Sequence, residues 1–237
     1  MKVNLPHTQV KKVLVDCLLA KDAKNILREL SIEIIETIPL RSIKDSTATH
    51  PDMQFVIVDK FKALVCAQVA DYYSRLLPEF EIVPVYGIFS PYPNDCLLNI
   101  TVMNKICFLT KFQKNHLPLP EFLKLIEVRQ GYTKCNICIL NENTIITSDK
   151  SIYKAATENS INVYMLADTQ IELKGYDHGF WGGTCGLIND KKLFFCGDIT
   201  RLDCTKQLLE ILSREKIEPI FPKNINLCDN GSIIPLY

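Results

Sequence analysis

The feature that most constrains the fold is a local pattern that recurs along the chain. Two short apolar segments flank a polar turn, an amphipathic segment follows, and another apolar segment ends the unit. Such segments predict a β-hairpin, a helix and a third strand. The polar turns are centred near residues 60, 104, 142, 190 and 230. Their spacing of roughly 40 to 50 residues is typical of arrays and propellers.

The pattern predicts four complete ββαβ modules and a fifth one divided between the chain ends. The complete modules span residues 54–85, 97–130, 136–167 and 184–221. In the second of them we expect the short helix at Pro120–Leu125. Residues 12–40 predict a strand, a helix and a strand, and residues 225–237 predict a last hairpin, Ile225–Cys228 and Ile233–Leu236, around the hairpin dipeptide Asn230-Gly231. Pairing of the two ends would close a ring and remove its edge strands, whereas an ordinary α+β domain would also alternate hairpins and helices.

The composition excludes several classes of protein. The 27 basic residues balance the 27 acidic residues, so we expect no binding to nucleic acid or to an anionic membrane. The beginning of the sequence has no apolar run long enough for a signal peptide or a spanning helix. The ten cysteines lie mostly within apolar strand patterns, which indicates reduced thiols and a cytoplasmic protein. We expect neither a cofactor nor a metal, because Cys135 and Cys138 form a single C-x-x-C without a second ligand pair.

One stretch, residues 175–198, contains most of the glycines and the only tryptophan. Glycine admits positive φ and lets backbone approach a neighbour closely. The aromatic and charged residues in the same stretch indicate the lip of a pocket. We interpret residues 177–186 as that lip.

Several motifs resemble those of a known fold family. HPDMQ (residues 50–54), YPND (92–95), QGYTKCNIC (130–138), GYDHGFWGG (175–183) and GDI (197–199) are similar in order and spacing to motifs of an uncharacterised bacterial family. That family is assigned to the pentein fold, the five-bladed α/β-propeller of guanidino-group-modifying enzymes such as arginine deiminase, dimethylarginine dimethylaminohydrolase and the amidinotransferases. The resemblance implies a single pentein-like domain over residues 1–237, closed by its termini.

The motifs stand before the first strands of their modules, so their loops are expected to meet at one end of the central channel. Carboxylates hold a guanidinium by paired hydrogen bonds, a thiolate attacks its central carbon and an imidazole moves the proton. By resemblance His178 is the general acid/base, while the nucleophile's place falls at Gly231 or Ser232. Cys228 or Cys135 is therefore the nucleophile, or there is none. The expected substrate-binding residues are His50, Asp52, Asn94, Asp95, Asp177, Trp181 and Asp229.

Two functions are compatible with these residues. The first is an amidinohydrolase or amidinotransferase that acts on a small guanidino or ureido compound. The second is a protein that keeps the ring, has lost catalysis and binds a small molecule or a protein partner. A channel thiol of low pKa would favour the enzyme.

Overall fold

The computed structural model describes residues 2–44 and 46–236. Residues 1 and 237, the ends of the predicted domain, lie outside this part. The strands are β1 (Lys12–Val15), β2 (Glu33–Glu36), β3 (Phe55–Asp59), β4 (Lys62–Cys66), β5 (Glu81–Val85), β6 (Thr101–Met103), β7 (Ile106–Leu109), β8 (Lys124–Glu127), β9 (Cys138–Asn141), β10 (Thr144–Thr147), β11 (Asn162–Met165), β12 (Cys185–Asn189), β13 (Lys192–Phe195), β14 (Glu218–Ile220) and β15 (Ile234–Leu236). The helices are α1 (Lys21–Glu29), α2 (Ala70–Leu76), α3 (Lys111–His116), α4 (Thr133–Asn136), α5 (Lys150–Glu158) and α6 (Thr205–Arg214).

The strands form three-stranded sheets that all have the same topology. Their orders are β3-β4-β5, β6-β7-β8, β9-β10-β11, β12-β13-β14 and β15-β1-β2. In each sheet the first two strands are antiparallel and the third runs parallel to the second. A parallel pair needs a crossover, and a helix between the second and third strands supplies it. The architecture is therefore α/β with five ββαβ modules.

The fifth module joins the two ends of the chain, as the sequence pattern predicts. Strand β15 pairs antiparallel with β1, with Lys12 opposite Leu236 and Leu14 opposite Ile234. Strand β1 then continues through α1 into β2, its parallel partner. The C-terminal segment thus contributes the first strand of this module, and the N-terminal segment contributes the rest.

The predicted C-terminal hairpin is wrong in one respect. Residues 225–228 form no strand of it, and Cys228 makes only an isolated bridge to Glu172. Gly231 and Ser232 both have positive φ, 66° and 74°. This left-handed backbone turns the chain so that β15 reaches β1 instead of folding back on residues 225–228.

The predicted helix at Pro120–Leu125 is also wrong. The helix of the second module is α3, and residues 124–127 form β8. The Thr110 side chain accepts a hydrogen bond from Gln113 N, and the Gln113 side chain bonds Thr110 in return. Such a capping box stabilises a helix start, whereas the prolines at 118 and 120 disfavour helical backbone after it.

The first strands of neighbouring modules pack beside one another. Strand β3 contacts β6, β9 contacts β12, and β12 contacts β15. Their side chains are largely buried, as in β3, where only the last residue is exposed. Because these strands lie side by side, the segments that precede them meet at one end of the molecule. No helix within residues 2–44 and 46–236 is long and apolar enough to cross a membrane.

The closing contact can be tested with matched leucine substitutions. Leu236 in β15 is fully buried, whereas Leu209 on α6 is exposed. Because truncation of a buried leucine removes apolar contacts and leaves a cavity, we expect Leu236→Ala to lower the free energy of unfolding by about 2–5 kcal/mol. We expect Leu209→Ala to change it by less than about 1 kcal/mol. Urea unfolding followed by circular dichroism measures both, and equal losses would contradict the closed arrangement.

Candidate active site

The segments before the first strands bring polar side chains from four modules into one buried group. Asp52, Cys135 and Gly231 each lie three residues before the first strand of their module. The Cys135 thiol donates to Asp52 Oδ2 at 3.0 Å. The Ser232 hydroxyl donates to the same oxygen at 2.8 Å, and Asn99 Nδ2 donates to Cys135 Sγ at 3.1 Å. We call this group, together with Asp16, His50 and Asp229, the central cluster.

His50 lies between two carboxylates of the central cluster. Its Nε2 is 4.0 Å from Asp16 Oδ2, and its Nδ1 is 3.8 Å from Asp229 Oδ1. All three side chains are at least 97% buried. Asp16 follows β1 and accepts hydrogen bonds from Thr49 Oγ1 and Leu18 N. Asp16 therefore enters the cluster through contacts within residues 16–50, whereas the segment before β15 adds Asp229 and Ser232.

Two glycines allow the backbone to approach this cluster. Gly231 has positive φ, and a Cβ on it would lie 2.2 Å from His50 Cβ. A Cβ on Gly183 would lie 1.9 Å from Asp229 Oδ1. Asp229 instead accepts hydrogen bonds from Phe180 N and Gly231 N, at 2.9 and 3.0 Å. The glycines thus leave room for the imidazole and the carboxylate.

Negative charge in the cluster exceeds the nearby positive charge. Asp16, Asp52 and Asp229 are all buried. Among the described residues, His50 is the one basic side chain within ion-pair distance of any of them. Burial raises the pKa of Asp229 to about 6. The nearby His50 lowers this pKa, and the nearby Asp52 raises it further. Burial and the neighbouring Asp52 raise the pKa of the Cys135 thiol well above its usual range.

A cavity of about 650 Å³ opens onto one side of the cluster. This is the size of a small-molecule site. Its lining includes Asp16, His50, Glu172, Asp177, Cys228 and Asp229. We call it the acidic cavity, because four carboxylates line it and Lys174 and His50 are its basic residues.

Cys228 is the thiol on the wall of the acidic cavity. It is partly exposed, and its Sγ donates to Glu172 Oε2 at 3.7 Å. Burial and the Glu172 carboxylate raise the pKa of Cys228 to about 11. The thiol is therefore protonated at neutral pH while the cavity holds no cation.

The other residues predicted from sequence do not line this cavity. His178 is partly exposed, with Nδ1 3.6 Å from Asp168 Oδ1. Asp95 accepts a hydrogen bond from the Tyr132 hydroxyl at 3.0 Å, next to the half-buried Asn94. Trp181 is fully buried, and its indole N–H donates to the carbonyls of residues 166 and 167. Their roles in binding or catalysis stay predictions.

Sequence reasoning missed three residues of the site. Asp16 ends an apolar strand, Asn99 stands in an apolar run before β6, and Glu172 lies in a long connection after β11. The one local signal is the polarity of Asp16 and Asn99 within apolar surroundings. A buried polar residue is informative in this way because it needs a partner.

The topology and the converging loops define the pentein fold, and comparison with solved structures agrees. Inosamine-phosphate amidinotransferase from Streptomyces griseus superposes with a TM-score of 0.64, covering 100% of this chain and 96% of its own at 9% identity. An amidinotransferase of the saxitoxin pathway of Microseira wollei gives 0.59, covering 98% and 92% at 8% identity. Agmatine deiminase from C. jejuni gives 0.55, covering 98% and 95% at 11% identity.

At such identities the likeness shows the fold alone. Residues 14–234 match the family model described as a family of unknown function, DUF6873, and the chain belongs to that family. No curated protein sequence matches it.

The proximity of Glu172 to Cys228 generates a prediction. Glu172→Gln removes a negative charge beside the thiol, so the pKa of Cys228 should fall. We expect Cys228 to react with iodoacetamide at pH 8 about threefold to tenfold faster, since one pKa unit changes the thiolate fraction about tenfold. Mass-spectrometric mapping of the alkylated peptides measures the rate. Cys204, another partly exposed thiol, is the internal control, and an unchanged Cys228 rate would contradict the assigned contact.

Proposed function

We propose that this protein binds a small guanidino or ureido compound in the acidic cavity and hydrolyses or transfers its amidino group with Cys228 as nucleophile. One observation supports the proposal above the others. The acidic cavity has the size of a small-molecule site, and four carboxylates and a thiol line it together. Among the described residues that line it, only Lys174 and His50 are basic. The amidinotransferases and the deiminase that share the fold support the proposal, but a shared fold alone does not assign a chemistry.

Recognition follows from the carboxylates. A guanidinium is planar and always charged, and it presents five N–H donors in a fixed fork that matches carboxylate oxygens. Asp16 and Asp229 offer buried acceptors, and Glu172 and Asp177 offer acceptors nearer the mouth. Because buried carboxylates without a cation are unfavourable, a cationic ligand gains more here than it would at an exposed site.

The contact between Cys228 and Glu172 supports a route for the chemical step. Glu172 accepts the thiol proton, and the sulfur attacks the central guanidinium carbon to form a C–S bond. The tetrahedral intermediate collapses by breaking a C–N bond, and the leaving amine takes the proton from Glu172. Water then attacks the thiouronium carbon in a hydrolase, or an acceptor amine does so in a transferase. In both cases the C–S bond breaks and the thiol is restored.

The high pKa of Cys228 without a ligand is consistent with this route. A guanidinium in the cavity would bring positive charge near the sulfur and would favour the thiolate. The thiol would then be activated by its own substrate. Cys135, the other candidate nucleophile, is buried and does not line the cavity. Its thiol donates a hydrogen bond to Asp52. His178 as general acid/base, and Asp52 and Asp95 as substrate carboxylates, stay predictions.

A second candidate is a binding protein without turnover. The observation that favours it is that burial and neighbouring carboxylates raise the pKa of both Cys135 and Cys228. A protein that holds its ligand with carboxylates alone needs no thiolate.

Affinity provides the first test of recognition. We expect Asp229→Asn to weaken guanidino binding about tenfold or more, because a charge-assisted hydrogen bond contributes about 1.5–3 kcal/mol. Isothermal titration calorimetry with arginine, agmatine and methylated guanidines measures it. The matched control is Asp22→Asn at an exposed position of α1. Equal affinities in the two variants, or no binding by wild type, would contradict the proposal.

Turnover provides the second test. We expect Cys228→Ser to keep guanidino affinity and to lose product formation by more than about 100-fold, because the nucleophile is replaced. Release of amine, ammonia or urea is followed by mass spectrometry, with Cys204→Ser as the control. Binding without product in wild type would favour the second candidate. Equal turnover in the two serine variants would exclude Cys228 as nucleophile.

A further inference from the structure

Three residues at the edge of the acidic cavity combine the donor types of a transition-metal site. His50, Asp52 and Cys135 each offer one ligand atom, and these atoms lie within 4.8 Å of one another. All three side chains are buried. They come from two modules, so the five-module arrangement, and not a local motif, brings them together.

Two atoms of this group have unmet hydrogen-bonding capacity. Asp52 Oδ1 and His50 Nδ1 are buried without a hydrogen-bond partner among the described residues. Buried polar atoms almost always have such a partner, and each exception calls for a physical reason. Asp52 Oδ1 belongs to a carboxylate whose other oxygen already accepts from Cys135 and Ser232. A cation beside these residues would give Asp52 Oδ1 a partner, and binding through Nδ1 would do the same for His50.

The net negative charge of the central cluster also favours a bound cation. Three buried carboxylates face one imidazole, and no lysine or arginine among the described residues pairs with them. A divalent ion would offset that excess within the cluster. Its binding would break the S–H bond of Cys135, form a metal–sulfur bond and release the proton to solvent.

We propose that His50, Asp52 and Cys135 form a Zn²⁺ site. This proposal goes beyond the guanidino recognition proposed above and uses different ligand residues. A thiolate, an imidazole and a carboxylate suit zinc, whereas Mg²⁺ and Ca²⁺ prefer oxygen ligands. Three protein ligands leave the fourth tetrahedral position for water or another small ligand, which is the arrangement of catalytic zinc. His50 also lines the acidic cavity, so the proposed metal site and the cavity share this residue.

Neighbouring residues orient the three ligands. Asn99 donates from Nδ2 to Cys135 Sγ and accepts the Cys135 backbone N–H on Oδ1, each at 3.1 Å. Asp16 and Asp229 flank the imidazole of His50. Metal-bound histidines ordinarily donate their other ring N–H to a carboxylate or carbonyl. Whichever ring nitrogen binds the metal, a carboxylate lies near the other one.

Cobalt substitution tests the site directly. The full-length protein is stripped with a chelator and titrated with Co²⁺, whose bond to a thiolate gives a near-ultraviolet charge-transfer band. We expect one equivalent to bind with that band and with tetrahedral visible absorption. Zn²⁺ should displace it, and a chromophoric chelator in competition then gives the Zn²⁺ affinity.

Substitutions identify the ligands. We expect Cys135→Ser to lose the charge-transfer band and more than 100-fold of Zn²⁺ affinity, since changes to residues behind the ligands alone cost about 10–100-fold. Asp52→Asn, which keeps an oxygen for Ser232, should lose affinity but keep the band at high Co²⁺. Cys96→Ser, at a buried thiol near Asp95, and Cys228→Ser are the controls for metal binding, and both should match wild type in the cobalt band and in Zn²⁺ affinity. Circular dichroism confirms that each variant is folded.

Three results would overturn the proposal, two of which concern the presence of the site and its thiolate ligand. One is the absence of a charge-transfer band in wild type, and the other is equal Zn²⁺ affinity in Cys135→Ser and Cys96→Ser. A band that disappears in Cys228→Ser would place the metal in the acidic cavity and would likewise overturn it. Failure of guanidino binding with an intact cobalt spectrum would count against the proposed function alone.

Discussion

The antiparallel pairing of β15 with β1 is the contact on which the candidate site depends. It holds Ser232 before β15 against Asp52, and Asp229 of the same segment lies beside His50. Without this pairing, the segment that precedes β15 would not be held against Asp52 and His50. A strand pair between the chain ends therefore has a functional consequence as well as the removal of two exposed sheet edges.

The electrostatics of the centre are unusual for a structural core. Buried carboxylates are commonly paired with a cation or hydrogen-bonded throughout. Here the backbone N–H groups of Gly231 and Phe180 satisfy Asp229, yet burial still raises its pKa. Such strain in polar groups is frequent at functional sites, where binding of a ligand relieves it. The unmet charge is the strongest physical argument that something cationic binds at this end of the molecule.

The sequence predicts the modules well because they depend on local periodicity. Apolar alternation around polar turns identifies four hairpins, and the incomplete units at the two ends predict their pairing. The last hairpin fails because Asn230-Gly231 is a strong local signal, while positive φ at both Gly231 and Ser232 directs β15 to a partner far away in sequence. The helix of the second module is misplaced because the capping pair Thr110 and Gln113 is a weaker pattern than an apolar run.

For the same reason, the sequence predicts only some of the residues of the candidate site. His50, Asp52 and Cys135 belong to motifs that precede first strands, so their convergence follows from the module pattern. Asp16 enters from the end of β1 and Glu172 from a long connection, and no local pattern encodes their positions in the site. The nucleophile illustrates the limit: its expected place near Ser232 holds a hydroxyl bonded to Asp52, and the thiol that lines the cavity is Cys228.

The two proposed occupants of this end of the molecule influence each other through His50. In the two proposals, Asp229, Glu172 and Asp177 would hold the guanidino ligand in the acidic cavity, whereas Asp52, Cys135 and His50 would hold Zn²⁺ beside it. A dication at His50 would cancel much of the negative potential that attracts a guanidinium, since the two charges would be separated by only a few ångströms of protein. It would also offer an open coordination position to a neutral oxygen. Metal loading would therefore shift the preferred ligand from a guanidinium toward a ureido carbonyl, so that the charge state of the cluster selects the ligand.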